Sequence, residues 1–168
     1  GTNQKIKKII ADSSKKKSFA VASVPEFLRE GQAISDTLHP DRIVIGTEGK
    51  KEQGLLVELH EPTDGSFILT DIETAEMTKY AANAFLATKI SFANAIASLS
   101  EKIGANGPKV LEAVGLDKRV GSAFLNCGAG FGGSCFPKDV KALIAIAKKS
   151  GYDFSLLKEV ERINLEAR

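Results

Sequence analysis

The spacing of hydrophobic and polar residues along the chain changes near residue 70. Before that point, short apolar runs alternate with polar, glycine and proline positions, a pattern that predicts buried strands joined by turns. The strands are expected at residues 18–23, 42–46 and 67–70. A helix is expected at residues 3–11, and residues 54–61 fit either a strand or a helix end. Residues 1–70 are therefore predicted to form part of an α/β layer with short parallel strands.

A long helix is predicted after residue 70. Residues 71–103 contain neither glycine nor proline, are rich in alanine, and repeat their apolar positions at helical spacing. Thr70 or Asp71 can cap the start of this helix, and Gly104 can end it. Its length of about 45 Å requires burial along much of the helix, and a dimer interface is one common reason for such burial.

Shorter helices are expected in the rest of the chain. They are placed at residues 108–114, from 137 to about 150, and from about 155 to the end. The chain is thus predicted to have two domains, an α/β part at residues 1–70 and an all-α part with one long helix at residues 71–168.

Composition and charge indicate a folded globular protein. Of 168 residues, 43% are apolar and 26% are charged, which excludes disorder as a description of the whole chain. The net charge is +2, and the first 17 residues hold six of the lysines. This favours a solvated lysine-rich helix and turn over a phosphate-binding arm, and no nucleic-acid partner is expected. The sequence shows no membrane-length apolar run, no leader pattern and two cysteines, so we expect a cytoplasmic protein without a membrane partner.

Cys135 is the strongest candidate for chemistry. It follows a glycine-rich segment, residues 128–133, and precedes Pro137, which suits the first position of a helix. A thiol just ahead of a helix N-terminus is stabilised as a thiolate, and Lys138 adds positive charge nearby. This arrangement indicates an activated nucleophile, the alternative being a flexible loop with an incidental thiol. Cys127 is expected to be a bystander, and no metal site is expected because the two cysteines lack further ligands nearby.

Further polar residues could act near this thiol. Asp139 comes four residues after the cysteine, where its carboxylate can either orient water or simply favour the helix dipole. On the long helix, Glu76, Lys79 and Asn83 share one face, either as a polar notch or as a solvent-facing stripe. A turn over residues 25–31 carries two carboxylates, and its signal is weak by itself.

Four motifs follow one another along the chain: PEFLREG, KYAANAF, RVGSAFL and GFGGSCFPKD. In this order they resemble the UDP-glucose 6-dehydrogenase family, nucleotide-sugar dehydrogenases that use NAD to oxidise an alcohol to a carboxylate. The resemblance covers essentially the whole chain. It implies the C-terminal part of a Rossmann-like NAD-binding domain, followed by an all-α central domain that dimerises through the long helix. It also implies a central fragment that is inactive alone, without the NAD fingerprint and the nucleotide-binding domain of longer relatives.

The resemblance assigns catalytic roles to five residues. It implies that Cys135 attacks the aldehyde that the first hydride transfer forms, that a second hydride transfer gives a thioester, and that water releases the acid. Lys79 and Asn83 stabilise the oxyanion. Asp139 and Glu26 handle protons and the hydrolytic water.

The resemblance also implies a substrate site and part of a cofactor site. Glu30 and Cys135 match positions near the nicotinamide of NAD. Arg119 matches an arginine that reaches into the substrate site of the dimer partner. The other residues implied to bind the sugar nucleotide are Phe27, Leu28, Arg29, Phe124, Leu125, Asn126, Gly128, Phe131 and Gly132.

UDP-glucose is the expected substrate, with GDP-mannose as the alternative. Val24 stands where the family usually has asparagine, and Cys127 where it usually has proline, both at the edge of the substrate region. Two other classes of function remain open at this point. They are a dimerisation module without activity of its own, and a thiol redox protein that uses Cys127 and Cys135.

Overall fold

The structure is a computed structural model that describes residues 1–14 and 18–168. The chain divides into two compact units, Gly1–Lys79 and Tyr80–Arg168. This division falls within the long helix, whereas the predicted domain boundary lies at the start of that helix. Each unit has buried apolar residues of its own and is described separately.

The first unit is a three-stranded sheet with helices. In chain order its elements are α1 (Thr2–Ser13), β1 (Ala22–Ser23), α2 (Ala33–Leu38), β2 (Arg42–Thr47), α3 (Lys50–His60) and β3 (Ser66–Thr70). The strand order in the sheet is β1-β2-β3. Strands β2 and β3 are parallel, with Arg42 opposite Ser66, and β1 is antiparallel to β2. The β2–α3–β3 segment is therefore a parallel βαβ unit.

The sequence predictions for this unit are confirmed for β2 and β3 and wrong for β1. The strand expected over residues 18–23 is reduced to two residues, and it runs antiparallel to its neighbour. It ends before Pro25, whose nitrogen has no hydrogen to donate to a ladder, and an apolar run does not specify the direction of pairing. Residues 54–60 belong to α3 and Glu61 follows its last residue, so the helix alternative is confirmed there. Helix α2 is too short to show a helical period in the sequence.

Strand β2 is the core of the first unit. Val44 and Ile45 are fully buried. Gly46 follows them, and a Cβ atom there would lie 2.5 Å from the backbone oxygen of Asp71 and 2.6 Å from the Cβ atom of Ala75. The strand therefore packs its backbone directly against the chain segment that begins the long helix, and only glycine fits at this contact.

The second unit is all-α. It holds most of α4 (Ile72–Ile103), then α5 (Gly107–Gly115), α6 (Cys135–Lys149) and α7 (Ser155–Glu166). The prediction of one long helix is confirmed, since α4 has 32 residues and a length of about 48 Å. Asp71 caps α4 by accepting hydrogen bonds from the Thr74 backbone N–H at 2.7 Å and from the Thr74 hydroxyl at 2.8 Å. Gly104, with a φ of 74°, ends the helix as predicted.

Side chains of α4, α6, α7 and the loop before α6 form the core of the second unit. Its buried members are Ala84, Ala87, Phe131, Val140, Leu143, Leu157 and Val160. Ser91 on α4 is also fully buried, and its hydroxyl donates to the Val160 backbone oxygen on α7 at 2.8 Å. This hydrogen bond ties the two helices together at their contact.

The two units confirm the predicted fold class, an α/β remnant of Rossmann type followed by an all-α part with one long helix. None of the helices in the described part of the chain combines the length and the apolar character that a membrane span requires.

Candidate active site

Cys135 opens α6 and is exposed to solvent. The helix begins two residues earlier than predicted, so Pro137 occupies its third position and not its first. Proline is tolerated there, because the N–H groups of a first turn have no partner within the helix. The thiol lies at the N-terminal end of α6, which is the positive end of the helix dipole. The Ser134 hydroxyl oxygen is 3.7 Å from Cys135 Sγ.

Asp139 is a buried carboxylate one turn into α6. It is 2% exposed. Asn83 Nδ2 donates to its Oδ2 at 2.6 Å, and Lys138 Nζ lies 2.9 Å from its Oδ1. Asn83 is 8% exposed, so this asparagine lies in a polar notch of α4 and not on a solvent-facing stripe. The two partners compensate the burial of the carboxylate and fix its orientation.

The Lys138 ammonium forms an ion pair with Asp139 and interacts electrostatically with Cys135. A hydrogen bond to Asp139 and the charge of that carboxylate raise the pKa of the Lys138 ammonium above its ordinary value. Smaller charge contributions in the same direction come from Tyr80 and Cys135. Lys138 therefore stays cationic and keeps positive charge near the thiol.

The glycine-rich loop before α6 is packed on aromatic side chains. Phe131 is 5% exposed, and its ring meets the ring of Phe136 edge-on, with 6.0 Å between centroids. Phe124 meets Phe136 in the same way at 6.1 Å. Phe124 has a φ of 64°, a left-handed conformation that is unusual for an aromatic residue. Of the other loop residues implied to bind substrate, Leu125 is buried and the exposed ones are Asn126, Gly128 and Gly132.

Two buried asparagines outside the predicted set hold this loop. Asn94 on α4 accepts a hydrogen bond from the Gly128 backbone N–H at 2.8 Å. Asn164 on α7 accepts from the Phe131 backbone N–H at 2.6 Å and donates to the Phe131 backbone oxygen at 3.0 Å. The signal that could have found them is a polar residue on the apolar face of a helical pattern, because each lies on the buried side of its helix.

In the first unit, Lys79 and Glu26 form a cluster with Phe27. Lys79 Nζ donates to the Glu26 backbone oxygen at 2.6 Å and to its carboxylate Oε1 at 3.0 Å. The other carboxylate oxygen of Glu26 accepts from the Leu28 backbone N–H at 2.7 Å, which bends the chain into a turn. The Arg42 guanidinium lies over the Phe27 ring, 3.9 Å from its centroid. The structure thus brings together three of the residues that the motif PEFLREG and the long helix predict.

The two arginines expected to bind substrate are each held by an aspartate. Arg29 makes a forked pair with Asp36, with Nε–Oδ2 at 3.0 Å and Nη2–Oδ1 at 2.5 Å. These hydrogen bonds hold the pKa of the Asp36 carboxyl below its ordinary value. Arg119 binds both oxygens of Asp117, at 3.0 Å and 2.6 Å, and its side chain is 88% exposed. Glu30, expected near the cofactor, is exposed.

The first unit thus contains a βαβ unit of Rossmann type, and α6 of the second unit carries an exposed cysteine and a buried aspartate one turn apart. Residues 1–64 match the NAD binding domain of the UDP-glucose/GDP-mannose dehydrogenase family, and residues 73–166 match the central domain of that family. The chain belongs to the UDP-glucose/GDP-mannose dehydrogenase family.

Individual relatives agree with this assignment. The chain is 52% identical over 169 residues to the UDP-glucose 6-dehydrogenase TuaD of Bacillus subtilis, a match that covers 100% of this chain and 37% of TuaD. A UDP-glucose dehydrogenase from the archaeon Pyrobaculum islandicum has a TM-score of 0.96 at 42% identity, over 99% of this chain and 39% of that one. A GDP-mannose dehydrogenase from Pseudomonas aeruginosa has a TM-score of 0.65 at 35% identity, over 95% and 38%. The chain thus spans well under half the length of these relatives.

The first unit fits part of a dinucleotide-binding fold. The carboxyl ends of the parallel strands β2 and β3 meet at one edge of the sheet, where such folds bind their cofactor. A pyrophosphate also needs a glycine turn with open space beside it. Here the start of α4 fills the space beside Gly46, and the Glu52 carboxylate lies beside Gly49. The strands therefore fit an NAD site, and the Glu52 carboxylate beside Gly49 disfavours a pyrophosphate at the turn between β2 and α3.

Proposed function

We propose that the protein acts as an NAD-dependent UDP-glucose 6-dehydrogenase whose nucleophile is Cys135. The exposed thiol at the first residue of α6, one turn before the buried Asp139, carries this proposal. The 52% identity to TuaD over the whole chain supports the substrate. The sugar alcohol is oxidised to a carboxylate in two hydride transfers, and bound NAD accepts the hydride in each.

Cys135 acts on the aldehyde that the first oxidation leaves. Its thiolate Sγ adds to the aldehyde carbon, forming a C–S bond and an oxyanion. Loss of a hydride from that carbon gives a thioester. Water then attacks the thioester carbon, the C–S bond breaks, and the acid leaves while the thiol is restored.

We assign each of the surrounding polar groups a separate role in the reaction. Asn83 Nδ2 carries two hydrogens and donates one to Asp139, and we assign the second to the oxyanion. Lys79, whose ammonium binds Glu26, is proposed to contribute positive charge that stabilises the oxyanion. Asp139 orients the hydrolytic water, since Asn83 and Lys138 fix its carboxylate. Glu26 exchanges protons with solvent beside the Lys79 ammonium.

The glycine loop is proposed to bind the sugar nucleotide, and the turn at residues 26–30 is proposed to supply substrate contacts of its own. Exposed glycines let phosphate oxygens approach the backbone N–H groups closely. Arg119 is proposed to reach the substrate site of a partner subunit, and Glu30 and Cys135 are each proposed as cofactor contacts. The other proposed substrate contacts are Phe27, Leu28, Arg29, Phe124, Leu125, Asn126, Gly128, Phe131 and Gly132.

A count of NADH tests this function in the protein at its full natural length. Two NADH per UDP-glucose consumed are expected, because oxidation of an alcohol to an acid removes two hydrides. GDP-mannose, assayed in parallel, should support little turnover. One NADH per sugar would contradict the thioester route, and a preference for GDP-mannose would contradict the substrate. The 168-residue chain by itself is expected to form no NADH.

An exposed apolar stripe on α4 supports a homodimer. Phe85, Phe92 and Leu99 follow one another at seven-residue spacing and are 66%, 48% and 53% exposed. Seven residues are close to two helical turns, so the three side chains lie on one side of the helix. We propose that this stripe packs against a second copy of the chain. The same stripe favours a second candidate function, a dimerisation module without activity of its own.

Phe92→Glu is expected to weaken the dimer at least about tenfold, because it places a carboxylate in the middle of an apolar contact. Sedimentation over a range of protein concentrations measures the dissociation constant. Leu156→Glu is the matched control, since Leu156 on α7 is also exposed, at 58%. An unchanged dimer in Phe92→Glu, or equal weakening in both variants, would contradict the assignment of the interface to α4.

A further inference from the structure

We propose that Asn94 and Asn164 are positioning residues for the reaction at Cys135. They hold the loop at residues 128–131, and through Phe131 and Phe136 they fix the start of α6. The inference rests on the proposed function, because it concerns the rate of the reaction assigned to that thiol. Neither asparagine lies next to the cysteine in the sequence, and neither belongs to the four motifs.

Asn164 pairs with Phe131 as one peptide group pairs with another. Its Oδ1 accepts from the Phe131 N–H at 2.6 Å and its Nδ2 donates to the Phe131 oxygen at 3.0 Å. Two hydrogen bonds to one residue fix the plane of the amide as well as its distance. Because Asn164 is only 4% exposed, water cannot replace either hydrogen bond. Asn164 therefore sets the position of the Phe131 backbone.

The loop packs closely against Asn164 at Gly130. A Cβ atom at position 130 would lie 2.5 Å from Asn164 Oδ1. The residue also has a φ of 78°, which glycine adopts without strain. Both the contact and the backbone conformation require glycine, so the loop fits Asn164 in this one arrangement.

Asn94 holds the other end of the loop at a cost to the fold. Its Oδ1 accepts from the Gly128 N–H, whereas its buried Nδ2 has no hydrogen-bond partner among the described residues. A buried donor without a partner is unfavourable, and an apolar residue of the same shape would avoid it. Stability therefore does not account for an asparagine at this position, whereas holding Gly128 does.

The loop that the two asparagines hold is linked to Cys135 through an aromatic contact. Phe131 is buried and meets the ring of Phe136 edge-on. Phe136 is the second residue of α6 and follows Cys135 in the chain. If the loop is released at Gly128 or Phe131, this aromatic contact loosens and the first turn of α6 samples other positions. The thiol is then less often in reacting geometry, which lowers kcat more than it raises KM.

Two substitutions and one control test the inference in the protein at its full natural length. Asn94→Leu and Asn164→Leu remove the bonds to the loop and keep the branched shape of the side chain. Ser91→Ala is the control, because it removes a buried α4–α7 hydrogen bond without touching the loop. With UDP-glucose and NAD, both leucine variants should lose about tenfold or more in kcat with little change in KM. The control should stay within about twofold of the parent.

Two further measurements separate positioning from folding and from the assigned reaction. The midpoint of thermal unfolding should be as high in Asn94→Leu as in the parent, so that loss of kcat is not loss of fold. Alkylation of Cys135 by iodoacetamide, followed by mass spectrometry, needs no turnover. Its rate should change several-fold in the leucine variants and not in Ser91→Ala, because release of the loop changes the position and the surroundings of the thiol at the start of α6.

The outcomes are distinct. If the parent forms no NADH, the proposed function fails, and the alkylation rates still decide whether the asparagines position the thiol. Unchanged kcat and alkylation in both leucine variants would overturn the inference. It would also be overturned if Ser91→Ala lost as much kcat as the leucine variants, since general loosening of the helices would then be the cause.

Discussion

Cys135→Ser is expected to lower the rate of carboxylate formation by at least about 10³-fold in the protein at its full natural length. A serine hydroxyl is a much weaker nucleophile than a thiolate at neutral pH, and the helix N-terminus that stabilises the thiolate cannot make an alkoxide. Quantification of UDP-glucuronate by chromatography, at fixed UDP-glucose and NAD, measures the effect. A yield of acid near that of the parent would contradict covalent catalysis by Cys135.

Cys127→Ser is the matched control for this prediction. Cys127 is also a free thiol, but it is half-buried and lies in the loop, away from a helix N-terminus. The rate of carboxylate formation by Cys127→Ser is expected to stay within about twofold of that of the parent. If both serine variants lost activity equally, a thiol pair would have to replace a single nucleophile in the mechanism.

Asp139→Asn is expected to slow hydrolysis about 10²-fold and to lower the free energy of unfolding by about 2–4 kcal/mol. The carboxylate is 2% exposed and accepts from Asn83 while it pairs with Lys138. An amide in its place has no charge for the lysine and orients water less strongly. Intact-mass spectrometry after mixing with substrate should show an adduct on Cys135, because thioester formation then outpaces its hydrolysis.

Asp153→Asn is the control for this second prediction. It also breaks a pair between an aspartate and a lysine, Lys158, but both side chains are more than half exposed. Exposed pairs contribute little, so stability and turnover should be nearly unchanged. Full stability of Asp139→Asn, with no adduct on the cysteine, would contradict both the structural and the hydrolytic role of Asp139.

Features with local causes could be predicted from the sequence. The bounds of α4 follow from Asp71, which caps the helix through Thr74, and from Gly104, which ends it. The start of α6 is harder to predict, because proline is acceptable anywhere in a first turn and Pro137 proves to be the third residue. The antiparallel direction of β1 depends on the path of the chain, which an apolar run does not encode.

Features with distant partners could not be predicted in this way. The motif GFGGSCFPKD identifies the loop and the thiol, but the residues that hold the loop lie 34 and 33 positions away, on α4 and α7. Asn83 could be either a notch or a surface stripe until its partner Asp139, 56 residues later, is placed beside it. Tertiary contacts of this kind leave no period or spacing in the sequence.

The carboxylate partners of the two arginines affect how the binding of an anionic ligand depends on ionic strength. Arg29 and Arg119 already hold Asp36 and Asp117, so an anionic ligand that takes either guanidinium must displace a carboxylate that stays tethered close by. Binding then exchanges one ion pair for another instead of creating a new one. Added salt weakens both sides of that exchange, so the affinity for a diphosphate should depend on salt less steeply than the number of arginines suggests.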